Sequence, residues 1–163
     1  MEKALRETII ASVSGSGAHV KAAVALEHLT AVQARRRPSR RLATIWEELA
    51  HIVFWQDFVL ENIRGGQPKA PAHAAGGWPV MPKGPRSEAA WEALVARFLT
   101  GLEEMEKLAR KVGVETRIGR PKKLPLGGPL LMIGSHNSYH LGQIVSLRKL
   151  IGAWPPPSGG VTW

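Results

Sequence analysis

Two histidines stand where a helix needs core-facing aliphatic residues. Leu130 to Ile151 form the last helical segment, which contains Gly134-Ser-His-Asn-Ser-Tyr-His-Leu-Gly-Gln143. Its apolar stripe runs Ile133, His136, His140, Ile144, Leu147 and Ile151, at the i, i+3, i+4 spacing of a core-facing surface. His136 and His140 are one turn apart on the same face. Two imidazoles pointing into a core need a reason, and the most economical one is a shared metal ion.

The rest of the chain predicts what such a helix packs against. A chain of 163 residues supports one domain with a real core, so we expect one domain over residues 1–163. Glu2 to Val13 reads as a short amphipathic helix with a weak apolar face of Ala4, Leu5, Thr8, Ile9 and Ala11, interrupted by Ser14 to Gly17. A second helical piece covers Ala18 to Leu29. Thr44-Ile-Trp-Glu47 fits a capping box and starts the next helix, which runs to about Arg64 and is closed by Gly65-Gly66. Its buried faces hold Ile45, Leu49, Ile52, Val53, Leu60 and Ile63, and His51, Trp55, Phe58 and Asn62 form a further stripe. A helix so apolar around its circumference turns His51 toward protein.

Gln67 to Arg86 is a proline- and glycine-rich loop in which Gly77-Trp-Pro79 tucks an aromatic against the bundle, placed to cover the mouth of a site. Ser87 caps a long helix with the stripe Trp91, Leu94, Val95, Phe98, Leu102, Met105, Leu108 and Val112, closed by Gly113. Val114 to Gly128 is a basic connector with a short extended piece. The last helix then starts near Gly128-Pro129 and ends at Gly152, followed by a tail packed across the surface or loose. The expected fold is all-α: an up-down four-helix bundle with long connecting loops.

Composition removes several classes of function. There is no cysteine, so a metal site must use His, Asp or Glu, and neither a disulfide nor a cysteine nucleophile is available. The N-terminal residues lack a signal-peptide pattern. Leu124 to Leu147 carries no charged residue but is broken by Gly and Pro and holds polar side chains, which argues against a membrane span. A soluble, cytoplasmic protein is expected. The net charge of +9 is concentrated in Arg35 to Arg41 and Arg117 to Lys123. No nucleic-acid-binding signature accompanies these runs, so we read them as solvated loop charge rather than a nucleic-acid or acidic-ligand surface.

Three histidines on core-facing stripes of two helices, His51, His136 and His140, can converge as neutral nitrogen ligands, with Zn²⁺, Ni²⁺, Fe²⁺ and Mn²⁺ all acceptable. The spacing lacks the glutamate of an HExxH motif. The alternative is three core histidines satisfied by Ser, Asn, Gln or backbone carbonyls. His19, His28 and His73 lack a ligand spacing and read as surface or locally hydrogen-bonded residues. Glu48 is a candidate to accept the His51 imidazole N–H, and Gln143, one turn beyond His140, to orient water or substrate. For Gln143 the plain alternative is a helix-surface hydrogen bond. Tyr139 reads as a packing residue.

His136-Asn-Ser-Tyr-His-Leu-Gly-Gln-Ile144, with Leu147-Arg148 and Gly152-Ala-Trp-Pro155, resembles the final-helix motif of the DinB/YfiT-like superfamily. Ile45-Trp-Glu-Glu-Leu-Ala-His-Ile52 resembles its second-helix motif, whose histidine completes a triad. The resemblance implies a bundle that binds a divalent metal, Zn or Ni first and Fe or Mn next, through His51, His136 and His140, commonly as a homodimer acting on a small molecule. It also implies a metal-dependent hydrolase, or a transferase using a low-molecular-weight thiol such as bacillithiol or mycothiol; one relative of this kind is a maleylpyruvate isomerase. A non-catalytic metal-binding stress or regulatory module, and less so a basic nucleic-acid-associated protein, are the alternatives.

Overall fold

The computed structural model describes residues 2–16, 18–79, 84–111, 113–119 and 124–160. Gly17, Val112 and the run 120–123, named above, lie outside the described residues. Six α-helices occur among the described ones: α1 (Glu2–Ser14), α2 (Ala22–Leu26), α3 (Ala31–Arg35), α4 (Ile45–Ile63), α5 (Glu88–Lys111) and α6 (Gly127–Leu150). Arg117–Ile118 (β1) pairs antiparallel with Leu124–Pro125 (β2) as a two-stranded ribbon. The fold is all-α in its architecture, as expected.

The four long helices surround the core in the order α1–α5–α4–α6. The chain therefore crosses a diagonal between α1 and α4, through the short helices α2 and α3, and again between α5 and α6, through the β1–β2 ribbon. Close approach is set by small residues at two of the contacts. A Cβ on Gly134 of α6 would lie 2.6 Å from Ser12 Oγ of α1, and one on Gly101 of α5 would overlap the Gln56 side chain of α4.

The apolar faces of α4, α5 and α6 close on one cluster that includes Ile45, Leu49, Ile52, Trp91, Phe98, Met105, Ile133 and Ile144. Each such side chain contributes about 1.5–3 kcal/mol when fully buried. For α1 the expected face is shifted: Ile9, Ile10 and Val13 are buried, while Leu5 and Thr8 are exposed. The two isoleucines and the valine out-compete the smaller set because they remove more apolar area from water.

Helix ends follow local chemistry. Thr44 and Glu47 form the reciprocal capping box at the start of α4, and Ser87 Oγ accepts from the Ala90 N–H at the start of α5. Gly65, Gly113 and Gly152 adopt positive φ just past the helices they close. The expected helix Ala18 to Leu29 is shortened to α2, and a further helix, α3, follows where none was expected. His28 sits at φ +52° between them, and Thr30 with Gln33 makes a second capping box that restarts the helix. The Glu88 carboxylate from α5 accepts the Ala31 N–H of the same turn. The last helix starts slightly earlier than expected, at Gly127, because its N–H is satisfied by the Val114 carbonyl.

Arg148 explains the Leu147-Arg148 and Gly152-Ala-Trp-Pro155 segments physically. It is buried, donates to the carbonyls of Ala25 and Ala153, and lies 5.4 Å from the Trp154 ring centroid. One side chain thus ties α6, α2 and the C-terminal tail together. The tail packs on the surface, with Ser158 hydrogen-bonded to Glu27. No helix among the described residues is long and apolar enough to cross a membrane.

Candidate metal centre

His51 sits in the second turn of α4, and His136 and His140 lie in the middle of α6, where these two helices pack side by side. The three rings meet. Their centroids are 5.1 Å apart for His51–His136, 4.5 Å for His51–His140 and 4.5 Å for His136–His140. One ring nitrogen from each can be chosen so that all three lie within 4.8 Å of one another. His51 and His140 are buried and His136 is half-buried.

Each ring is oriented through its Nδ1. His51 Nδ1–H donates to the Gly77 carbonyl at 2.6 Å. His140 Nδ1–H donates to Glu48 Oε2 at 2.8 Å, inside the core. His136 Nδ1 lies 3.4 Å from Asn137 Oδ1. A carbonyl only accepts, so His51 must carry its proton on Nδ1 and present a bare lone pair at Nε2. That lone pair faces His136 Nε2 at 3.2 Å. Burial is the main cause holding the His51 and His136 pKa values below the ordinary histidine range, His136 to about 4, with the neighbouring imidazoles adding to the effect. Both rings are therefore neutral at pH 7, the form in which imidazole binds metals.

These residues fit a divalent ion. Tetrahedral sites with metal–nitrogen bonds near 2.0–2.1 Å separate their nitrogens by about 3.3 Å, close to the Nε2–Nε2 distance here. Fixing Nδ1 by a carbonyl or carboxylate is also how metal-binding imidazoles are commonly oriented. Protein groups can also satisfy the rings without an ion, because a His136 Nε2–H can donate to the His51 Nε2 lone pair at 3.2 Å, a bond that a shared metal would replace.

The structure corrects one pairing. Glu48 serves His140 across the helix interface, not His51 on its own helix, whose partner comes instead from the loop before α5. That loop forms a 3₁₀ turn at Ala74–Gly77 and tucks its aromatic in: Trp78 stacks on His51 at 4.1 Å with the planes 14° apart. Gly77 must lack a side chain, since a Cβ there would lie 2.7 Å from Trp55 Nε1. His19 is locally satisfied, donating to the Val20 carbonyl and accepting from Ser138. His28 and His73 are exposed.

A cleft of 510 Å³ reaches the cluster at His140 and includes Gln143 and Trp78 in its walls. Gln143 is half-buried, and its amide has no hydrogen-bond partner among the described residues, so the helix-surface bond weighed above does not form. Tyr139 also differs from expectation. It is 65% exposed at the cleft edge, and its packing among the described residues is limited to an edge-on contact with the His140 ring, centroids 5.0 Å apart.

The family model of the DinB superfamily matches residues 18–144. The chain belongs to the DinB superfamily. Its matched span runs from before α2 into α6 and includes all three clustered histidines, so the DinB assignment and the histidine geometry concern the same part of the chain. No curated protein and no solved structure matches the DinB chain.

Proposed function

We propose that His51, His136 and His140 bind one divalent metal ion through their Nε2 atoms, and that the site acts on a small molecule held in the cleft at His140. The observation that carries this reading is the convergence of one ring nitrogen from each of the three histidines within 4.8 Å, with the Nδ1 atoms of His51 and His140 held by Gly77 and Glu48. Zn²⁺ and Ni²⁺ are the leading ions because a set of three neutral imidazoles suits both, with Fe²⁺ and Mn²⁺ next. When bound, such an ion supplies a Lewis acid that lowers the pKa of a water or thiol nucleophile.

The reaction class is a hydrolysis or a thiol S-transfer. The chain's own residues divide the work. Glu48 holds His140 by a charge-assisted hydrogen bond, which makes the imidazole a better electron donor. Trp78 and the Gly77 carbonyl fix His51 and shield it from water on one side. Gln143 offers an uncommitted amide in the cleft to orient a nucleophile or substrate.

Apo protein reloaded with Zn²⁺ or Ni²⁺ and assayed with a low-molecular-weight thiol plus an electrophile, and separately with ester and amide substrates, tests the reaction class. Turnover should require the metal, disappear in His140→Ala and fall in Gln143→Ala. Turnover that persists in His140→Ala would contradict the proposal.

A further inference from the structure

The arginine-rich segment before α4 is exposed, but specific bonds hold its turn in place. Arg36 donates to the Ile151 carbonyl. Arg37 donates to the Leu42 carbonyl and pairs with Glu47, which is itself held by the Thr44 capping box. Pro38 fixes one φ angle of the same stretch. The Leu42 N–H returns to the Ser39 carbonyl at 3.1 Å, and Ser39 Oγ accepts from the Arg41 N–H. Arg40 and Arg41 are thus the two central residues of a turn anchored at both ends.

Both line the same cleft as His140 and Gln143. Neither guanidinium has an ion-pair or hydrogen-bond partner among the described residues. The two carboxylates in the cleft wall are already committed, Glu47 to Arg37 and Glu48 to His140. Two positive forks therefore face a concave space without an internal counter-charge, on a turn that is built rather than loose. Arginine forks of this kind match the oxygens of carboxylate and phosphate groups, and a concave setting concentrates their field.

We propose that this cleft is an oxyanion subsite, in which Arg40 and Arg41 receive a carboxylate or phosphate group carried by the small molecule presented to the histidine cluster. The aromatic rings of Trp78 and Tyr139, also in the cleft wall, flank the body of such a ligand. As a statement about substrate class this rests on the proposed function, but the binding step depends on the arginines and can be read without metal.

The test is an NMR titration of metal-free and zinc-supplemented protein with malonate and, separately, inorganic phosphate, at matched ionic strength. Saturable shifts are expected at the amides of Arg40, Arg41 and Gln143. Affinity should fall at least about tenfold in the double variant Arg40→Ala/Arg41→Ala. It should stay unchanged in Arg110→Ala/Lys111→Ala, which removes the same charge from the end of α5. The stronger of the two anions identifies the group carried. Equal loss in both double variants, or shifts spread over all basic segments, would overturn the subsite. So would tighter binding to a short DNA duplex than to either anion, with the same dependence on Arg40 and Arg41. Zinc uptake measured on the same samples keeps failure of the metal site separate from failure of the anion site.

Discussion

Trp78 lies flat against the His51 imidazole, ring centroids 4.1 Å apart and planes 14° from parallel. The residue before it supplies the carbonyl that fixes the proton of the same imidazole. One short loop segment thereby sets both the tautomer and the tilt of a ring on α4. Trp78→Ala removes the stack while keeping the Gly77 carbonyl. Metal affinity should fall about tenfold, roughly 1.4 kcal/mol, and Trp78→Phe should recover most of it. Competition with a chromophoric chelator measures both.

Glu48 is buried at 7% exposure, with its carboxylate against His140. Glu48→Gln keeps the shape and an acceptor oxygen but loses the charge. Metal affinity should drop about 10- to 100-fold, and Glu48→Ala should drop further because the imidazole N–H is then left buried without an acceptor. Equal affinity in wild type and Glu48→Gln would show that the charge does not contribute.

The lowered histidine pKa values make the metal-free fold sensitive to acid. His136 is held near 4 against an ordinary value of 6.5, and His51 is shifted in the same direction. The unfolded chain accepts these protons first, so protonation favours unfolding. The histidines' contribution is intact above about pH 6.5 and is lost as pH falls toward 4. Urea midpoints of the apo protein should decline across that window, and His136→Leu should flatten the slope. A midpoint with the same slope in both proteins would contradict this.

Gly101 packs directly on Gln56, whose side-chain N–H₂ donates to the Phe98 carbonyl in a fully buried position. Gly101→Ala cannot be absorbed without displacing that amide. It should destabilise the protein by about 1–3 kcal/mol, seen as a lower urea midpoint, with metal binding retained in the folded protein. It serves as a control in which stability changes and the site does not.

The core positions of His51, His136 and His140 were readable because helical periodicity fixes which residues face inward without knowledge of the partner helix. The Thr44 and Ser87 caps and the glycines after three helices were readable for the same local reason. Partners from distant segments were not. Glu48 meets His140 only because α4 and α6 pack at a particular register, so a reading confined to one helix assigned it to His51.

The loop before α5 could be expected to tuck in an aromatic, but the ring beneath Trp78 depends on tertiary packing. The additional helix α3 does leave a local signal, since Thr30-Ala-Val-Gln33 is a second capping-box pattern just past the expected helix ending at Leu29. The arginine run is exposed, as its composition suggests, but that Arg37 and Glu47 pin its turn beside His140 is a tertiary relationship that no local pattern shows.

The central claim is that the three histidines hold a metal ion, and elemental analysis of untagged, natively purified protein tests it most directly. Wild type should carry near-stoichiometric divalent metal, and His51→Ala and His140→Ala should lose it while keeping their helical circular-dichroism signal. Wild type free of metal, whose apo form also takes up neither Zn²⁺ nor Ni²⁺, would contradict the claim and leave a core histidine cluster with no ligand.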